Sequence, residues 1–154
     1  MRPSWDDYFL NIMSAVSQRA TCDRGRSACI MTRNNRILVT GYAGAMPGFA
    51  DCDDVGHLIE KIVHEDGTIS EHCHRTLHAE QNCIIQAAKL GISIDNSTAY
   101  VSMTPCRTCA MLLISTGIIR IVCEKKYHQG SISEEMFKQA GVKIFFKSDE
   151  IQSY

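Results

Sequence analysis

The sequence predicts an α/β domain of three layers, α/β/α, around a central mixed five-stranded sheet. Three observations carry that expectation. The second half of the chain alternates apolar strand-like runs with amphipathic helices, as a parallel sheet covered on both faces requires. The first third holds two apolar runs joined by Arg33-Asn34-Asn35, which reads as a hairpin and adds an antiparallel pair. The length of 154 residues suits one domain over 1–154, which buries roughly 70% of its unfolded surface.

The elements follow in order. Ser4 to about Ala20 reads as a helix, with Ser4 as N-cap and Asp6 and Asp7 in the first turn. Its apolar stripe is Tyr8, Ile12, Ala15 and Val16, continued by Arg19. Strands are expected at Ala28–Thr32 and Arg36–Tyr42. From Gly41 to about Thr76 the chain is irregular and dense in Asp, His and Cys, with a short helix expected at Asp53–Ile62. Such a long stretch without periodicity is functional or stapled from outside. A helix from His78 to Leu90 ends at Gly91, and Thr98–Met103 is a strand. Pro105 opens a helix to about Thr116, stopped by Gly117. Ile118–Cys123 is a strand, Ser133–Ala140 a helix closed by Gly141, and Val142–Phe146 the last strand.

Composition excludes several classes. The net charge of −1 argues against a protein that coats nucleic acid or an anionic membrane. No run approaches the roughly 18 apolar residues of a membrane span. Met1 to Asp7 carries acids where a signal peptide needs an apolar stretch, so a cytoplasmic location is expected, the host cytoplasm for a viral source. Eight cysteines are about 5% of the chain, below the roughly 8–10% of disulfide scaffolds. In a reducing compartment they are free, catalytic or metal-bound. Cys29, Cys83 and Cys123 lie in apolar runs and read as small core hydrophobes. Cys22, Cys52, Cys73, Cys106 and Cys109 sit in polar or His-rich sequence and need another explanation.

The strongest chemical signal is His78-Ala79-Glu80 followed by Pro105-Cys106-Arg107-Thr108-Cys109. Cys106 and Cys109 are three apart and share a helix face, near a dipole that favours thiolate. His78 supplies a third ligand, and Cys2His is a catalytic zinc set with its fourth position open. Glu80 lies about 200° round a regular helix from His78. Both reach one point only if His78 sits at the helix entry and Glu80 reaches back from the first turn. Glu80 is then a base beside the metal rather than a ligand. A structural C-x-x-C site gains nothing from such a carboxylate. H-x-E with P-C-x-x-C is the signature of zinc nucleobase deaminases.

With those residues in place, the chain resembles the deoxycytidylate (dCMP) deaminases of the bacterial and phage type, including the ComEB-like late-competence proteins. The resemblance runs from about Ser4 to Phe146. It rests on Ser4-Trp5-Asp6-Asp7-Tyr8-Phe9, Thr21-Cys22-Asp23-Arg24, Gly41-Tyr42, Cys52-Asp53-Asp54-Val55-Gly56-His57, His72-Cys73-His74-Arg75-Thr76, His78-Ala79-Glu80-Gln81-Asn82 and Pro105 to Cys109. It implies the cytidine deaminase-like fold and zinc-dependent hydrolysis of dCMP to dUMP and ammonia, supplying dUMP for thymidylate synthesis. It also implies a homohexamer, activated by dCTP and inhibited by dTTP, each bound with Mg2+ between subunits. In the implied mechanism Glu80 moves protons from water to the cytosine N3 and to the leaving amine.

Cys22, Cys52, His57 and Cys73 remain, and four such ligands make a closed tetrahedral zinc site. A second, structural zinc there would staple the insert at about 43–76, and the resemblance implies one. His72 competes with Cys73 or His57 for a place in it. A nucleotide phosphate needs cations, and Arg24 and Arg26 are the candidates. Thr40 and Tyr127 are further substrate candidates. The resemblance places the effector loop at Gly41, Tyr42, Ala43, Gly44, Pro47 and Gly48. Ala43 stands where the family usually has Asn, so one sugar hydrogen bond is lost. Arg26-Ser27-Ala28-Cys29 also departs from the usual Val-Gly-Ala and reads as local repacking. His64 and His128 read as solvent-facing.

Rival readings remain within and outside enzymes. Deaminases of transfer RNA adenosine or single-stranded DNA need a cationic groove, which the net charge disfavours. Enzymes of free cytidine lack this insert. A zinc-stabilised interaction protein has no use for Glu80.

Overall fold

In the computed structural model, which describes residues 1–153, the first helix is α1, Trp5–Ser17. Ser4 caps it by accepting from the Asp7 N–H at 3.1 Å. Its buried face is Phe9, Leu10 and Met13, with Ile12 and Val16 half-buried beside them. The expected stripe is thus rotated: Tyr8 and Ala15 face outward and Phe9 and Met13 face in. The reason is aromatic packing, since Phe9 lies 5.2 Å from the Tyr100 ring, centroid to centroid.

Strands β1 (Ala28–Arg33) and β2 (Arg36–Tyr42) form the expected hairpin. Asn34 and Asn35 take φ of 52° and 57°, the left-handed pair that a two-residue hairpin turn demands. The main sheet continues with β5 (Thr98–Met103), β6 (Arg120–Tyr127) and β7 (Lys143–Phe146), in the order β2-β1-β5-β6-β7. β1 runs antiparallel to both neighbours, whereas β5, β6 and β7 are parallel. A two-residue strand, β8 (Ile151–Gln152), pairs with the far end of β6. This is the mixed sheet the sequence predicts, with β6 reaching four residues further, to Tyr127.

Both faces are covered, unequally. α1 alone covers one face, packing on Ala28, Ile30, Tyr100 and Val122. On the other face lie α3 (Ala79–Leu90), α4 (Arg107–Ser115) and α5 (Ser131–Gln139). Ala79, Cys83, Ala110, Leu113 and Phe137 pack there against Cys29, Met31, Val101, Ile121 and Cys123. Alternate residues of each strand serve the two cores, as strand geometry requires. Cys29, Cys83 and Cys123 are fully buried in the larger core, as expected. α3 approaches β2 so closely that a Cβ on Gly41 would lie 2.4 Å from the Cys83 nitrogen. Gly41 is therefore a packing residue. A bidentate Arg120–Asp6 pair, with Tyr100 Oη also donating to Asp6, ties α1 to the sheet.

The insert differs from expectation. A helix over Asp53–Ile62 does not form. Only α2, Cys52–Val55, is helical, and Gly56 at φ 82° ends it. The chain then forms β3 (Ile59–Val63) and β4 (Ile69–Cys73), an antiparallel ribbon separate from the main sheet. Ile59, Ile62, Val63 and Ile69 favour strand. The Asp66 carboxylate accepts from the Thr68 N–H and hydroxyl, closing the turn. Every residue of β3 is exposed, so this ribbon has almost no core of its own.

Candidate metal centre and cleft

Two loop-to-helix junctions build the centre. β5 ends at Met103, and Pro105, fully buried, leads into α4. Pro105 lies one residue before the N-cap rather than inside the helix. Cys106 is the N-cap, in extended conformation, and its sulfur accepts from the Cys109 N–H at 3.5 Å. At the second junction His78 is the N-cap of α3, with φ −67° and ψ 154°. Its N–H donates to Gln81 Oε1 at 2.8 Å. Leu77 is pinned to Gly44 by two backbone hydrogen bonds. His78 therefore sits at the helix entry with Glu80 in the first turn. This is the condition that lets both address one point.

His78 Nδ1 lies 3.4 Å from the sulfurs of both Cys106 and Cys109. With Zn–S near 2.3 Å and Zn–N near 2.0 Å, a tetrahedral ion holds S and N about 3.5 Å apart. The trio fits zinc. Hydrogen bonding to Cys109 and His78 pulls Cys106 down to about 4, and Cys106 raises His78 to about 9. Cys109 is pushed up by its bond to Cys106 and by burial. Glu80 is 9% exposed, and burial pushes its carboxyl up, against the pull of His78.

A second cluster gathers Cys22, Cys52, His57 and Cys73, whose ligand atoms all lie within 4.8 Å of one another. Cys22 Sγ is 3.5 Å from His57 Nδ1, and the Cys52 and Cys73 sulfurs are 3.5 Å apart. His57 Nε2 meets Asp23 Oδ1 at 2.9 Å, the carboxylate–imidazole arrangement that orients metal-bound histidines. Burial pushes Cys73 up, but hydrogen bonds from the Arg75 and Leu58 backbone and from Cys52 and His57 bring it to about 6. Burial and the neighbouring thiols push Cys52 up to about 12. His72 takes no part in the cluster. Its Nε2 lies 2.9 Å from Ser70 Oγ instead.

A cleft of about 120 Å³ runs between the two clusters. His78, Glu80, Cys106, Met103, Thr104 and Tyr127 line it. Arg24, Glu71 and His72 line it too, with Cys22 and Cys73 of the second cluster. Arg24 faces the cleft, its guanidinium donating to the Glu71 carbonyl at 3.2 Å. Tyr127 also lines the cleft, its N–H bonded to Thr104 Oγ1 and its phenol pushed up by burial. Arg26 does not line it. It is held by a bidentate pair with Asp53 and by the Ala20 carbonyl. Thr40 is exposed on β2, away from the cleft. Ala43 forms part of the cleft wall itself, whereas Pro47 and Gly48 are exposed. Tyr42 is partly exposed, Gly41 packs under α3, and Gly44 is tied to Leu77. His64 is half-buried against Ser70, whereas His128 is exposed as expected. Ser27, Met103, Thr104 and His72 join the cleft unannounced. Only Thr104, next to the P-C-x-x-C motif, carried a local signal.

Comparison with known proteins agrees with this geometry. A family model, the cytidine and deoxycytidylate deaminase zinc-binding region, matches residues 3–125. The chain belongs to the cytidine and deoxycytidylate deaminase family. Within that family it is 34% identical over 143 residues to ComE operon protein 2 of Bacillus subtilis, spanning 93% of this chain and 71% of that one. It is 32% identical over 127 residues to the deoxycytidylate deaminase of Mycobacterium phage D29, covering 81% and 98%. The dCMP deaminase of cyanophage S-TIM5, solved in complex with dCMP and dUMP, superposes with a TM-score of 0.75 at 25% identity, covering 95% and 98%. The deaminase fold predicted from the sequence is therefore the fold observed.

Proposed function

We propose that this deaminase-family chain hydrolyses dCMP to dUMP and ammonia. The observation that carries the reading is the convergence of His78 Nδ1, Cys106 Sγ and Cys109 Sγ on one point, with buried Glu80 in the same helix turn. Family relatives that bear the name deoxycytidylate deaminase support the choice of substrate.

His78, Cys106 and Cys109 would hold the zinc. It would supply Lewis acidity that brings a water toward ionisation near neutral pH. Glu80 takes that water's proton and gives it to N3 of the cytosine as the oxygen adds at C4. Glu80 then passes the second proton to the amine, and the C4–N bond breaks. One water is consumed and one ammonia leaves. A raised carboxyl suits a group that must both take and return a proton. Arg24 offers its charge to the phosphate, and Tyr127 flanks the base or sugar.

The second cluster would hold a structural zinc, so that the chain is one domain over 1–154 with an insert at 43–76 stapled by metal. Four ligands leave no open position, and Asp23 orients His57. We further propose that dUMP feeds thymidylate synthesis in the cytoplasm, and that a hexamer is activated by dCTP and inhibited by dTTP with Mg2+. The effector loop would include Gly41, Tyr42, Ala43, Gly44, Pro47 and Gly48.

Ammonia release from dCMP, cytidine and dCTP, with and without dTTP, tests the reading. dCMP is expected to turn over fastest and dTTP to slow it. Turnover of cytidine alone would refute it.

A further inference from the structure

The exposed ribbon carries a side-chain chain that ends in the cleft. Ser70 and His72 are two apart on β4 and share a face. His64 Nε2 lies 2.7 Å from Ser70 Oγ, and Ser70 Oγ lies 2.9 Å from His72 Nε2. Ser70 is 5% exposed, in a ribbon whose other residues are mostly open to water. A buried serine that bridges two imidazoles fixes ring orientation, and the ring it fixes on the inner side belongs to a cleft residue. With Nε2 engaged by Ser70, the other ring nitrogen of His72, Nδ1, is left for a ligand.

The position of His72 selects the ligand. The cytosine ring must lie at the His78–Cys106–Cys109 end, where Glu80 can reach it. The rest of a nucleotide then lies along the same cleft, against the wall that Arg24 and His72 line. Arg24 donates to the carbonyl of Glu71, the residue next to His72, so its guanidinium lies against β4 beside that residue. The Glu71 carboxylate, which would repel an anion, meets Lys61 at 3.5 Å.

We propose that His72 is a specificity residue that recognises the 5′-phosphate monoester of the substrate, oriented by Ser70 and His64. A phosphate only accepts, so it selects one direction of hydrogen bonding. His64 Nε2–H donates to Ser70, the Ser70 hydroxyl donates to His72 Nε2, and His72 Nδ1–H donates to the phosphate. This assignment rests on the dCMP reading, deepening it by naming what distinguishes a nucleotide from a nucleoside.

The test compares zinc-loaded wild type, His72→Asn and Ser70→Ala in dCMP turnover and in equilibrium binding of dUMP and deoxyuridine. Zinc content and thermal melting are read alongside. In His72→Asn the KM for dCMP and the Kd for dUMP are expected to rise about tenfold, with kcat changing less than threefold. The Ser70→Ala rise is expected to be smaller, roughly threefold, because His72 stays but turns more freely. Deoxyuridine binding should shift far less than dUMP binding in both. A parallel loss for dUMP and deoxyuridine, or a fall in kcat at constant KM, overturns the assignment. If His72→Asn does not fold, the same ratio in Ser70→Ala decides. A wild type that binds dUMP tightly but leaves dCMP intact refutes the proposed activity, and the binding ratios still decide the role of His72.

Discussion

The two thiol–imidazole clusters use the same ligand types but are built from opposite materials. His78, Cys106 and Cys109 stand at the N-termini of α3 and α4, elements that bury Ala79, Cys83, Ala110 and Leu113 in the larger core. Cys22, Cys52, His57 and Cys73 come from loops, a four-residue helix and a ribbon with almost no core. The first site is positioned by the fold. The second would position the chain around it once a metal is bound, since little apolar burial holds residues 43–76. Ligand number follows the same division. Three candidate ligands with a carboxylate beside them would leave room for chemistry, and four candidate ligands with Asp23 behind His57 would close a shell.

Breaking one site at a time tests that division. Cys109→Ala should abolish one zinc equivalent and reduce dCMP turnover by at least about 10⁴-fold, while leaving protease resistance of the insert intact. Cys52→Ser should lose the other equivalent and expose residues 43–76 to proteolysis. Metal analysis and limited digestion of the two variants read both effects. If both variants lose the same equivalent, the division fails. Asp23→Asn should weaken metal at the second cluster by roughly 10–100-fold in a chelator competition, with the catalytic zinc retained. The smallest effect concerns the scaffold. Hydrogen bonding to Arg120 holds Asp6 below the usual carboxylate range. A lowered folded pKa contributes stability that is present above the unfolded pKa and is lost as pH falls through the folded value. The pair is partly exposed, so Asp6→Asn should cost about 1 kcal/mol near neutral pH. Denaturation titrations should show that difference fading below about pH 4.

The same division explains what was legible in the sequence. His78, Glu80, Cys106 and Cys109 were readable because helix spacing ties each to its neighbour, and the one geometric condition on Glu80 could be stated beforehand. The β1–β2 hairpin was readable from Asn34-Asn35, whose left-handed conformations are a local property. The ribbon was not, because Asp53–Ile62 carries both helix-tolerant acids and β-branched residues, and Gly56 decides between them. The α1 stripe holds at Ile12 and Val16 but not at Tyr8 and Ala15. Tyr8 and Phe9 are equally apolar in pattern, and only packing on Tyr100 separates them. Arg24 and Arg26 are two residues apart, yet Asp53 captures Arg26 and the Glu71 carbonyl holds Arg24 at the cleft. His72, Cys73 and His57 are alike as ligands in the sequence, and the contact of Ser70 with the His72 ring separates them.

The central claim is that the open site with Glu80 is the one that carries out the reaction. Ammonia release from dCMP by zinc-loaded Glu80→Gln tests it most directly, because the amide keeps the shape and removes the proton shuttle. The variant should retain two zinc equivalents and the wild-type melting temperature, with kcat reduced by at least about 10³-fold. Turnover near the wild-type rate with both zinc equivalents in place would contradict the account.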